Sequence, residues 1–210
     1  MTGTLERAWN QCIEDLGGSK PPQCVWDALK ARYAETHRAY HTLRHLEECF
    51  AWFDQVRSFA ARPGEVAFAL FCHDAIYDTH AHDNEENSAE LGAHVLNEYV
   101  RGDGEPPVVA SLILATKHNA LPAESDSKLL VDIDLSILGA AKERFDEYER
   151  QIRLEYDWVS PKDFRIGRMR VLRQFIQRPA IYATDFFRDR LESRARLNLE
   201  RSLSALNLVP

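Results

Sequence analysis

The sequence lacks close cysteine pairs, an excess of positive charge and any long apolar run, and each absence narrows what the chain can be. Its four cysteines, Cys12, Cys24, Cys49 and Cys72, never form CxxC. That spacing argues against a zinc knuckle, gives no sign of a disulfide framework and fits reduced thiols in the cytosol. Lys and Arg number 26 against 33 Asp and Glu, a net charge of −7, so tight binding to a nucleic-acid backbone is not expected. No stretch approaches the roughly 18 apolar residues of a membrane span. The opening MTGTLERAWNQ has no basic region followed by an apolar run. The expectation is a soluble, cytoplasmic protein without a membrane partner. Internal repeats, low-complexity tracts and long linkers are missing too.

What is present is a chain of 210 residues, 45% of them apolar, large enough to bury roughly 70% of its unfolded surface without a staple. The apolar pattern is helical. Leu5, Trp9, Ile13 and Leu16 recur at three- and four-residue spacings ahead of a Gly17-Gly18 stop, which predicts a helix over 4–16. Further helices are expected over 22–36, 43–61, 65–77, 85–101, 106–117, 127–138, 140–157, 161–177 and 185–206. Pro21-Pro22, Pro63-Gly64, Gly102 to Gly104 with Pro106-Pro107, and Pro122 separate them. Ser160-Pro161-Lys162-Asp163 reads as an N-cap followed by proline at the first helical position. KLLVDIDLSIL fits strand or helix and is taken as helix. The fold expected is one all-α domain over residues 1–210, with about nine or ten helices. Trp9, Trp26, Trp52, Trp158 and Phe186-Phe187 read as packing anchors.

Three polar clusters interrupt this apolar pattern. In YHTLRHL, residues 40–46, His41 and His45 stand four apart; on or just before one helix, two imidazoles could share a cation or a substrate, or simply face water. In FALFCHDAIYD, residues 68–78, His73 and Asp74 follow five largely apolar residues, and a polar pair there is costly unless satisfied. Imidazole nitrogen with carboxylate oxygen suits Mn, Fe, Zn, Co or Ni better than Ca; a hydrogen-bonded core histidine beside a capping aspartate explains the pair as well. In VDIDLSILG, residues 131–139, Asp132 and Asp134 project about 200° apart on a helix, so at least one needs a buried partner. An arginine or a helix cap serves that need as well as a metal does.

In chain order the clusters read His, His-Asp, Asp, and here the sequence resembles the HD-domain superfamily of all-α, metal-dependent phosphohydrolases. It is most similar to a group of small bacterial proteins described as predicted phosphohydrolases of that superfamily. The likeness takes in NEENSAEL (84–91), ILATKHN (113–119), GRMRVLRQFIQRPAIY (167–182) and ARLNL (195–199), so it spans residues 40–199. It implies that His45, His73, Asp74 and Asp134 hold a divalent ion (Mn, Fe, Zn, Co, Ni or Mg), with one or two ions per site and Asp132 as the fallback ligand. YHTLRH is also similar to the segment of cyclic nucleotide phosphodiesterases in which the earlier histidine protonates the leaving oxygen, a role that falls to His41 here. Thr42 departs from the asparagine of that pattern. Asp78 matches the last acid of the HDxxED element of HD-type alarmone hydrolases, with Tyr77 in place of the glutamate, and would hold a water or a second ion.

The implied function is hydrolysis of a nucleotide or other small phosphate ester by metal-activated water. A dication with open positions acidifies water and polarises a phosphoryl oxygen, while cations offset phosphoryl charge and an acid protonates the departing oxygen. Lys117, Arg44 and Arg168 are candidates for the first of these protein tasks, His41 and His118 for the second. His118 follows the apolar run VVASLILATK, at a predicted helix end whose dipole favours its protonated form. The arginines have salt-bridge readings of equal weight. In THAHDNEEN, residues 79–87, His80 and His82 read as solvated, Glu86 as completing a cap begun at Asp83, and Asn84 and Glu85 as a wall of the site mouth. The alternatives are an HD-type di-iron oxygenase, a non-catalytic nucleotide sensor, and a purely structural or interaction protein. A homo-oligomer is compatible with the leucines of the last helix.

Overall fold

The protein is all-helical in a computed structural model, which describes residues 2–100, 103–119 and 122–208. Ten α-helices and no strand occur among the described residues, and these fall into two compact units, Met1–Ile133 and Asp134–Pro210. The end of the helix predicted to reach 101, and the stop at Gly102, lie outside the described residues.

In the first unit, α1 (Thr2–Asp15) ends where Gly17 takes a φ of +63°, a conformation that costs glycine little. After α2 (Gln23–Arg32) and α3 (Leu43–Val56) comes α4 (Pro63–Cys72), in which every residue from Gly64 to Cys72 is buried. Beyond Glu65, which pairs with Arg62 and accepts the Glu105 N–H at 2.7 Å, the helix is apolar all round and belongs in the middle of a core; α4 packs against α1, α3, α5 (Asn84–Val95) and α6 (Pro106–Leu114). Phe71 of α4 meets Trp9, Trp26 and Phe50 at ring-centroid distances of 5.2, 5.5 and 4.2 Å. The last helix begun in this unit is α7 (Ser125–Asp134), so KLLVDIDLSIL is helical. Asp126 in its first turn accepts the backbone N–H groups of Ala61 and Arg62, each at 2.8 Å. That anchor fixes α7 to the segment entering α4.

The second unit holds a 3₁₀ turn at Leu135–Gly139 and the helices α8 (Lys142–Glu155), α9 (Pro161–Ile176) and α10 (Asp185–Leu208). Ser160 caps α9 as the sequence predicts, its hydroxyl accepting from the Asp163 N–H at 3.1 Å and donating to the Asp163 carboxylate at 2.7 Å. Leu191 and Leu199 of α10 are buried while Leu197 is exposed. Trp158 departs from its expected anchoring role: it lies in the turn between α8 and α9 and is 51% exposed. No helix among the described residues is long and apolar enough to cross a membrane.

Several helices are shorter than the sequence predicts, α2 and α6 among them. Helix α4 stops at Cys72 rather than 77, and α3 stops at Val56, followed by a 3₁₀ turn over Arg57–Phe59. The early end of α4 builds the site.

Candidate metal centre

Because α4 ends at Cys72, His73 and Asp74 form a turn instead of continuing a helical face. Backbone groups released by the break find side-chain partners. Ser88 Oγ accepts the Ile76 N–H at 3.0 Å and donates to the Ile76 carbonyl at 3.3 Å. The Asp74 and Ala75 carbonyls accept from Arg38 at 2.7 and 3.1 Å. A break of this kind in a buried segment survives only because each polar group is paired.

His73 is 1% exposed, and its Nδ1–H donates to the Leu70 carbonyl at 2.9 Å. A carbonyl can only accept, so this bond places a proton on Nδ1 and turns Nε2, the nitrogen that would ligate a cation, toward the neighbouring polar side chains. That Nε2 faces His45 Nε2 at 3.1 Å and Asp74 Oδ2 at 3.0 Å, and His45 Nε2 lies 3.5 Å from the same oxygen. His45, on α3, is also 1% exposed, with Cys49 Sγ 3.8 Å from its Nδ1. Asp134 closes α7, so its position is set by that helix. One ligand atom from each of His45, His73, Asp74 and Asp134 lies within 4.8 Å of all the others. Asp132, two residues earlier, is fully buried and stands outside this group.

The donor set fits a first-row dication. Ligands about 2.1 Å from one ion stand about 3.0 to 3.4 Å apart at adjacent octahedral or tetrahedral positions, and the three separations among His45, His73 and Asp74 span 3.0 to 3.5 Å. Two imidazoles with two carboxylates suit Mn, Fe, Co, Ni or Zn. The His73 bond to Leu70 is the orienting contact that metal-binding histidines regularly make.

The remaining candidates are placed as follows. His41 lies just ahead of α3, its ring 5.9 Å from that of His45 and 4.2 Å from that of Tyr77. The two histidines therefore do not stack on one helical face; the chain bends before Leu43. Asp78 is exposed and occupied in the loop: its Oδ1 accepts the His80 N–H at 2.8 Å, while Asn84 clasps its backbone through bonds of 3.0 and 2.8 Å. Asn84 thus serves the loop. Lys117 is paired with Glu86, which holds Lys117 above and Glu86 below their ordinary pKa ranges. Asp83 makes no side-chain cap at the start of α5, so the expected cap with Glu86 does not form. His118 follows the 3₁₀ turn Ala115–Lys117 with a φ of 56°. Arg44 pairs with Glu48 at 3.4 Å on the surface of α3, and Arg168 pairs with Glu149 in the second unit. Cys72, beside the turn, is an inert thiol because burial pushes its pKa up to about 12.

Sequence reasoning missed Arg38 and Ser88, the two side chains that hold the turn. Compared with family models, curated proteins and solved structures, the chain matches none. The case for the site rests on its geometry.

Proposed function

We propose that this chain is a metal-dependent phosphohydrolase of the HD type, acting on a nucleotide or another small phosphate ester. The observation that supports it is the convergence of His45, His73, Asp74 and Asp134, four side chains brought together from three stretches of sequence. A dication held there supplies Lewis acidity toward a phosphoryl oxygen and acidifies water. Asp74 and Asp134 supply two negative charges to keep such an ion in a largely buried place, and burial of both imidazoles keeps solvent away from their nitrogens. His41 stands beside this group without belonging to it. Its ring nitrogen is suited to hold the proton that passes to the departing oxygen. Lys117 joins in only by exchanging Glu86 for a phosphate.

Metal quantification on the purified protein, followed by a phosphatase and phosphodiesterase screen with nucleotides in Mn, Co, Ni and Mg, tests this reading. Bound or recruited dication with turnover of a phosphate ester is the expected result. No uptake and no turnover with any of the four would sink it. His41→Ala should leave metal content unchanged and depress kcat by about 10²-fold or more, most for poor leaving groups. Loss of the metal in that variant would make His41 a ligand.

A further inference from the structure

Arg38 has its side chain fully enclosed, and its hydrogen bonds go to a carboxylate and three backbone carbonyls. Its Nε donates to Glu35 Oε2 at 2.9 Å, Nη1 to the carbonyls of His41 at 3.2 Å and Asp74 at 2.7 Å, and Nη2 to the Ala75 carbonyl at 3.1 Å. The guanidinium also lies over the rings of Tyr33 and Tyr77, 5.2 and 5.4 Å from their centroids. A cation is costly to bury, and a fold that needed only to satisfy three carbonyls has cheaper donors. What a guanidinium offers is a planar fork of five donors in fixed directions. Here the fork spans two chain segments 33 residues apart, one leading through His41 to His45 and the other carrying His73 and Asp74.

We propose that Arg38 is a positioning residue for the metal centre, setting the register of the His41–His45 segment against the His73-Asp74 turn. The carbonyl it holds on Asp74 shares a Cα with the carboxylate that lies 3.0 Å from His73 Nε2. Fixing that peptide therefore limits where Oδ2 can point. The His41 carbonyl is held by the same nitrogen, so the proton donor proposed above and the ligand turn move together. Lysine keeps the charge but cannot reach four acceptors from one point. Glu35, half-exposed, steadies the fork from the solvent side.

This inference rests on the metal centre and not on the reaction. It is tested by Mn(II) titration calorimetry of the wild type, Arg38→Lys and Glu35→Gln, with circular dichroism confirming helix content. Leu112→Ala, a cavity variant in the core of α6, controls for lost stability. Arg38→Lys is expected to bind Mn(II) about 10- to 100-fold more weakly, the usual effect of removing a contact behind a metal ligand. Glu35→Gln should move the same way by a smaller factor. It perturbs only the exposed side of the fork, so it keeps the test open should Arg38→Lys fail to fold. Leu112→Ala should bind as the wild type does. Unchanged affinity in both Arg38→Lys and Glu35→Gln overturns the proposal, as does an equal loss in Leu112→Ala, which would make the effect one of stability. A wild type that takes up no Mn(II) overturns the centre itself and this inference with it, a result distinct from the other two.

Discussion

The two units of the chain satisfy their backbones by different means. In the first, α4 is enclosed by aromatic and aliphatic side chains, and one buried arginine, Arg38, serves the turn where that helix breaks. In the second, arginines reach out to carbonyls repeatedly: Arg196 bonds the carbonyls of Ile176, Arg178 and Pro179, Arg188 those of Tyr182 and Ala183, and Arg153 those of Tyr156 and Val159. Cationic forks there satisfy carbonyls at the ends of helices, such as Ile176, and in the segments that connect them, where intrahelical partners are lacking. The contrast teaches where a polar cluster is informative. Among α8 to α10 a buried charge such as Arg168, beside Glu149 and over Tyr148, is one of many ion pairs. Around α4, Glu65 pairs with Arg62 in the same way, whereas His45, His73 and Asp74 converge with Asp134 on one point, as the ligands of a cation do.

The comparison breaks first at the metal residues. His73→Ala and Asp74→Ala should each abolish stoichiometric dication binding, measured by elemental analysis after dialysis; retention by both variants would return the cluster to a purely structural role. Next comes the apolar side. Phe71→Ala should cost about 3 to 5 kcal/mol in denaturant unfolding, because the ring is fully buried against Trp9, Trp26 and Phe50. In the second unit the corresponding loss is polar and smaller. Arg196→Ala should cost about 1.5 to 3 kcal/mol, the range for hydrogen bonds made by a charged group, with a cost near zero contradicting the stated role of that fork. The least effect belongs to exposed pairs.

Asp146 illustrates the last class. Its pKa is lowered by hydrogen bonds from Lys142 and Arg201. A depressed carboxyl stabilises the fold above its unfolded pKa, and the contribution disappears as pH falls through the folded value. Asp146→Asn should therefore cost under about 1 kcal/mol near neutrality, and the gap to the wild type should close below the ordinary carboxylate range. A gap that widens on acidification would mean that Asp146 stabilises the fold in its protonated form instead.

Much of the fold was legible in local signals. The Gly17-Gly18 stop, Pro63, Pro106 and the Ser160 cap mark helix ends through backbone chemistry that needs no partner elsewhere. The end of α4 was not legible: the apolar pattern runs on through Ala75 and Ile76, but Arg38 and Ser88, 37 and 12 residues away in sequence, claim the carbonyl and amide that would have continued the helix. Arg38 escaped notice for the same reason, since nothing in the letters THRAYH shows which of many arginines is buried. Lys117 was read as open to a phosphate because Glu86 lies 31 residues away. The cluster residues were legible as types in chain order, while the choice of Asp134 over Asp132 came from resemblance, and the structure puts Asp134 with the histidines.

The decisive property of the chain is that His45, His73, Asp74 and Asp134 can hold one dication together. A Co(II) titration followed by visible absorption, run on the wild type and on the four single alanine variants, tests this most directly. The predicted result is a saturable band in the wild type that each of the four substitutions removes or weakens by at least about 10-fold. A wild type without such a band, or four variants that titrate as the wild type does, would contradict it.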